Sequence, residues 1–256
     1  MKAAQQTQKT PSSKNILVKF VAHSGLCSRR KAEQLIKLGE ISVNNFIVKD
    51  PAYDVQERDT VRYKKQVLAT TKKEDFVYIV LNKPANMLCT SFDPEGRPTI
   101  FDLLKNSPQL ARLRLYNVGR LDLNTTGAIL ITNDGDLAQR MTHPSFEMRK
   151  TYAVTLHQSI SEERMEQIRR GVQLEDGFVR VDSIMPSRGG RHSQTVFVTL
   201  HSGKNRILRR IFEQMGLFIE KLERISFGPI TKKGLAAGQA RLLTNKEVAS
   251  LRESLT

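Results

Sequence analysis

A polar stretch at 64–75 (KKQVLATTKKED) separates two segments of different character and constrains the fold more than any other feature. It has no sustained apolar period, so it supplies no face to bury and reads as a linker. A chain interrupted there must build two cores rather than one, and 256 residues suit two domains. The charge follows the same division. Residues 1–75 hold 15 Lys+Arg against 8 Asp+Glu, a net +7 out of +15 for the whole chain. A short basic module therefore precedes a larger, milder body.

Composition excludes several classes. Two cysteines cannot frame a disulfide scaffold. No apolar run approaches the ~20 residues that span a bilayer. The first 13 residues are polar and lack an apolar h-region, so no secretory signal is expected and a reducing compartment, the cytoplasm, is. The net +15 points to a polyanionic partner, with nucleic acid first and an anionic membrane surface second.

In the module, Asn15 precedes a short amphipathic helix (ILVKFVAHSG) that Gly25 stops. Ser28 caps a second helix whose apolar residues are Ala32, Leu35, Ile36 and, at its end, Leu38, with Gly39 ending it. Its first turn is Arg29-Arg30-Lys31, where the helix dipole favours carboxylates over cations. Alone, such a run is most simply a solvated face. The alternative is a phosphate site, in which an external anion reconciles dipole, free N–H groups and arginines. Residues 40–48 then alternate around Asn44-Asn45, a hairpin signal. The segment SGLCSRRKAEQLIKLGEISVNN resembles the S4 RNA-binding domain over residues 15–62, which implies binding to structured RNA.

In the body, strands are expected at 77–82, 128–132, 151–156, 178–184 and 195–201. Asp136 is expected to cap a helix that Pro144 terminates, and Asn205 to cap one at 206–215. Between two apolar stretches lies Gly119-Arg120-Leu121-Asp122. In an extended chain Arg120 and Asp122 project to one side, and a carboxylate beside a guanidinium stays ionised. An Asp in such a loop, taken alone, most often bonds its own backbone.

The run GRLDLNTTGAILITNDG resembles the motif of the RsuA/RluB/RluE/RluF family of rRNA pseudouridine synthases. YIVLNKPANMLCT and DPEGRPTIFDLL precede it, and MTHPSFEMRKTYAV, GKNRILRRIFEQMG and LERISFGPI follow in the family's order, so the resemblance spans about residues 15–245. It implies an α+β chain: a flexible basic tail (1–14), an S4 domain (15–64), a linker (65–75) and a synthase core (76–256) with a mixed, mostly antiparallel sheet and a basic cleft. It makes Asp122 the catalytic aspartate and Arg120 its motif neighbour, which holds the place or pocket of an extruded nucleotide. Tyr152 becomes the aromatic that stacks on the uracil and exchanges a proton at the sugar. Arg209 becomes the cation paired with the carboxylate, and Leu208 a wall of the base pocket. Lys150 joins the substrate-binding residues, as do Arg29, Arg30 and Lys31. Arg206 and Arg210 are expected at the RNA or the surface, and Gly189-Gly190 in a mobile basic loop. Ribosomal RNA is the implied partner, of the large subunit by the SRR-type S4 segment or of the small subunit as the alternative. A monomer that binds no membrane is expected.

The residues suit that chemistry. Pseudouridine formation exchanges an N–C glycosidic bond for a C–C bond without redox change or external nucleophile, so neither metal nor cofactor is required. One ionised carboxylate attacks C1′ of the ribose or C6 of the uracil, a cation keeps it charged, and an aromatic face holds the base. A hydrolytic glycosidase normally uses two carboxylates. The five histidines show no metal spacing. Two positions depart from the family pattern: Ile207 stands where Gln is usual, and Asn86 where Gly follows Lys-Pro. Asn tolerates positive φ, so the turn at 86 can survive. The rival reading is a non-catalytic S4-type ribosome-assembly factor, against which the joint presence of Asp122, Tyr152 and Arg209 argues. A tRNA synthetase would need the HIGH and KMSKS motifs, which are missing.

Overall fold

The computed structural model describes residues 16–70, 72, 75–187 and 193–255. The tail expected at 1–14, the Asn15 cap, most of the Gly189-Gly190 loop and part of the linker lie outside the described residues. The chain divides into two compact units, Met1–Asp75 and Phe76–Thr256.

In the first unit, α1 (Leu17–His23) and α2 (Arg29–Lys37) pack on a four-stranded sheet. The strands are β1 (Ile41–Val43), β2 (Phe46–Ile47), β3 (Val61–Tyr63) and β4 (Gln66–Val67), in the order β2-β1-β3-β4. Ser28 caps α2 by accepting from the Lys31 N–H at 3.2 Å. Leu17, Val21, Ala32, Leu35 and Ile36 fill the core with Ile41 and Val61, whereas Leu38 falls at the C-cap of α2 and is exposed. Asn44 and Asn45 take φ of 50° and 69°, which gives the β1–β2 hairpin the left-handed pair that its twist requires. Arg29, Arg30 and Lys31 are exposed on the first turn of α2.

The second unit is built on β5 (Tyr78–Lys83), β6 (Tyr116–Val118), β7 (Thr126–Thr132), β8 (Lys150–Ile160), β9 (Val172–Leu174), β10 (Gly177–Val179), β11 (Ser183–Pro186), β12 (Ser193–Leu200), β13 (Ile219–Phe227), β14 (Ile230–Thr231) and β15 (Ala240–Leu242). A nine-stranded sheet runs β11-β12-β8-β13-β7-β5-β15, with β14 on β13 and β6 on β7, while β9 and β10 form a separate hairpin. Only β13–β7 is parallel among these pairings, so the sheet is mixed and mostly antiparallel, as the resemblance implies. Around it stand α3 (Pro108–Ala111), α4 (Gly135–Thr142), α5 (Glu162–Arg170), α6 (Ile207–Gln214) and α7 (Asn245–Glu253).

β5 and β7 read as unbroken apolar runs because both their faces are covered. Ile79, Leu81, Ile129 and Ile131 belong to one core, and Tyr78, Val80, Ala128 and Leu130 to another. A third core lies between β8, β12 and α6.

Several expectations change. The strand expected at 178–184 is two strands in different sheets, β10 and β11. The cap of α4 is Asp134, which accepts from the Leu137 N–H at 3.0 Å, and Asp136 instead places its charge in the first turn. α6 begins after Arg206 in a left-handed conformation (φ 47°), not after a capping Asn205. The central strand β13 is not among the expected strands, because Glu220, Lys221, Glu223 and Arg224 interrupt its apolar alternation.

The parallel β7–β13 contact depends on Gly127. Its φ is +107°, and a Cβ there would lie 2.2 Å from the Arg224 carbonyl oxygen. Gly127→Ala is expected to lower stability by at least about 2 kcal/mol in urea unfolding. Gly203→Ala, where a Cβ meets nothing within 4 Å, should stay within about 0.5 kcal/mol.

Candidate active site

The loop from Gly119 to Thr125 leaves β6 and enters β7, and it is held from three sides. Lys83, fully buried at the end of β5, donates from Nζ to the carbonyls of Leu123, Thr125 and Pro84, each at 2.9 Å. Burial pushes the Lys83 ammonium below the ordinary lysine value, against the favourable fields of Cys89 and Asp122. The Asn86 N–H donates to the Leu123 carbonyl at 3.0 Å, and Asn86 has φ of 61°, so the Asn-for-Gly departure is accommodated. The Leu121 N–H meets Cys89 Sγ at 3.4 Å while the Leu121 side chain is buried. Asp122 sits between these anchors, and its carbonyl accepts from the Thr125 N–H at 3.1 Å.

Asp122 opens into a cleft of about 300 Å³. The cleft is also lined by Arg120, Lys150, Tyr152, Leu208 and Arg209, so the structure brings together every expected site residue of this unit. Its further charged lining is Lys204, Arg206 and Arg224, which leaves Asp122 as the sole carboxylate among the described lining residues. Arg29, Arg30 and Lys31 belong to the other unit.

The expected partner of Asp122 is Arg209, but the guanidinium found beside it is Arg206, with Nη1 3.7 Å from Oδ2. The reason is local. Arg206 is left-handed and precedes α6, so it is not part of the helix expected at 206–215 and is not confined to the surface. Arg209 lies in the first turn of α6, and its Nε is buried without a hydrogen-bond partner. Arg210, expected at the RNA or the surface, pairs with Asp176 at 3.0 Å. Leu208 is buried against the core and closes one wall.

Tyr152 on β8 stands opposite Arg224 on β13, and Lys150 stands opposite Phe227. Lys150 donates to the His201 carbonyl at 2.8 Å. Burial, helped by the Arg224 charge and opposed by Asp182, pushes its ammonium down to about 8. No group of three or more His, Cys, Asp or Glu among the described residues is placed to hold a metal.

Comparison with known proteins agrees with this architecture. The S4 domain model matches residues 17–61. The RNA pseudouridylate synthase model matches residues 77–214, more than half of the chain. The chain belongs to the RNA pseudouridylate synthase family. Among curated relatives, "Ribosomal large subunit pseudouridine synthase B" of Vibrio cholerae is 38% identical over 93% of this chain and 74% of its own. The protein of that name from Bacillus subtilis is 36% identical over 92% and 95%. A solved structure described as a pseudouridylate synthase superposes with a TM-score of 0.64 at 27% identity, covering 92% of this chain and 99% of that one.

Within this synthase unit, sequence reasoning misses Lys83 and Arg224. Each carries a weak signal. Lys83 follows a buried apolar run and Asn82 and precedes Pro84, and Arg224 shares the i, i+2 face of buried Leu222. Lys83→Met leaves loop carbonyls unpaired. It is expected to cost about 2–4 kcal/mol in chemical unfolding, and to reduce turnover about 100-fold by displacing Asp122.

Proposed function

We propose that this chain converts a uridine of large-subunit ribosomal RNA to pseudouridine, with Asp122 as nucleophile. The observation that carries the reading is a lone carboxylate facing a cleft whose other charges are all cationic, with an aromatic ring beside it. The names of the relatives favour a large-subunit target, and small-subunit specificity is the alternative.

The steps follow from the residues. Polyanionic RNA is drawn to a chain of net charge +15. Arg29, Arg30 and Lys31 of the S4 unit contact its phosphates. The target base leaves its stack, at a few kcal/mol that the RNA contacts offset, and Arg120 fills the place it vacates. Tyr152 stacks on the uracil and Leu208 packs against it. Arg206 stands beside the Asp122 carboxylate that attacks C1′ or C6, while Arg209, whose Nε is buried without a partner, turns its guanidinium toward the nucleotide. The C1′–N1 bond breaks, the base turns, C5 joins C1′, the bond to Asp122 breaks, and the proton lost from C5 is matched by one gained at N1. Atoms and electrons balance within the nucleotide, so this sequence uses no cofactor. Every residue it needs comes from one chain, so a monomer suffices.

Pseudouridine mapping in a deletion strain tests the assignment. One large-subunit site is expected to lose its modification and to regain it with the wild-type gene but not with Asp122→Asn. Restoration by the Asn variant removes Asp122 as nucleophile. A strain that loses no site favours the assembly-factor reading.

Lys150 gives a second test. It is cationic below about pH 8 and neutral above, so RNA affinity should fall as pH rises from 7 to 9. Lys150→Met should flatten that decline. An equal decline in wild type and variant would remove Lys150 from the RNA-binding set.

A further inference from the structure

Arg224 is only 2% exposed, yet it belongs to no ion pair among the described residues. Its Nε donates to the Ala128 carbonyl at 2.7 Å, and its guanidinium stacks on the Phe227 ring at 4.8 Å. Both contacts fix the group, but neither uses Nη2, which is buried without a hydrogen-bond partner. A charged donor kept unpaired out of water is costly unless a ligand completes it. The Thr125 Oγ1, in a residue lining the same cleft, is likewise buried and unpartnered. Arg224 is the cross-strand neighbour of Tyr152, so their side chains share a face of the sheet, and both line the cleft.

We propose that Arg224 is a catalytic residue, donating from Nη2 to a carbonyl oxygen of the flipped uracil and holding the base as an anion while it is detached. The inference rests on the pseudouridine-forming reading above. When C1′–N1 breaks, its electron pair leaves with the uracil and spreads onto O2 and O4. A guanidinium fixed by Ala128 and Phe227 meets that charge without reorganising. Its part is a hydrogen bond, with no proton transferred to the base. The proton lost at the end comes from C5 of the base, after the C5–C1′ bond has formed. The geometry of uracil suits a single fixed donor. A half-turn about the N3–C6 axis brings C5 to the position of N1 and exchanges O2 with O4. The site that holds one carbonyl before the turn therefore holds the other after it.

The test uses the full-length protein and two transcripts of large-subunit rRNA, one made with uridine and one with 5-fluorouridine. Fluorine makes the departing base less basic, so it needs less help from a cation. Single-turnover rates come from tritium release at C5 for uridine and from nucleoside mass spectrometry for 5-fluorouridine. Arg224→Gln is expected to slow the uridine reaction about 100-fold and the 5-fluorouridine reaction about 10-fold or less, with RNA affinity within about 2-fold of wild type. An equal loss on both transcripts, or no loss on uridine, overturns the proposal. Should Arg224→Gln fail to fold, as read by near-UV circular dichroism, Arg224→Lys keeps a cation over Phe227. It should then show the same unequal loss in milder form, and equal losses would again overturn the proposal. If wild type converts neither transcript, the proposed function itself falls and takes this role with it.

Discussion

One buried ammonium holds the reactive loop in place. Lys83 sits at the end of a strand covered on both faces, and its three hydrogen bonds all go to backbone carbonyls. Two of these, on Leu123 and Thr125, follow Asp122 closely in sequence. A lysine in that position is unfavourable without partners, and the loop carbonyls are unfavourable without donors, so each secures the other. The fields of Asp122 and Cys89 favour its charge against the desolvation that lowers its pKa. The carboxylate is thereby positioned by groups on which it makes no side-chain demand.

The second organising contact is the parallel approach of β7 and β13 at Gly127 and Arg224. It brings the strand that follows the GRLD loop against the strand that carries Arg224 and Phe227. β13 also pairs with β8, and so sets Arg224 beside Tyr152 and Phe227 beside Lys150. A cleft wall assembled from paired strands is stiffer than one made of loops, which suits a site where a base must be freed, turned and recaptured. The cations of this wall repel one another, and the lowered Lys150 pKa reflects burial first and the Arg224 charge second. An anionic ligand relieves that repulsion.

Where the structure departs from the sequence reading, the cause is a local backbone conformation or a non-local contact. Arg206 changes role because one left-handed residue detaches it from α6. Asp134 displaces Asp136 as the cap of α4 because it is tied by the Tyr78 hydroxyl at 2.7 Å, a contact across 56 positions. β13 escapes a pattern search because Glu220 and Lys221 are exposed while Arg224, further along the strand, is buried at the cleft. By contrast, the Ser28 cap and the Asn44-Asn45 turn are legible, since each depends on neighbours within a few positions.

Sequence alone determines the division into two units, the S4-like first unit and the identity of the reaction, because these rest on linear spacing, composition and a long ordered set of motifs. It also names Asp122 and Tyr152 as the residues on which the proposed chemistry turns. Tertiary structure alone decides which cation stands beside that carboxylate, which lysine clamps its loop, and that a buried arginine faces the cleft with a donor unspent. Those facts depend on distances between residues 40 to about 100 positions apart, such as Lys83 to Leu123 and Arg224 to Ala128. Local propensity carries no term for such distances, and they are fixed only when the sheet closes.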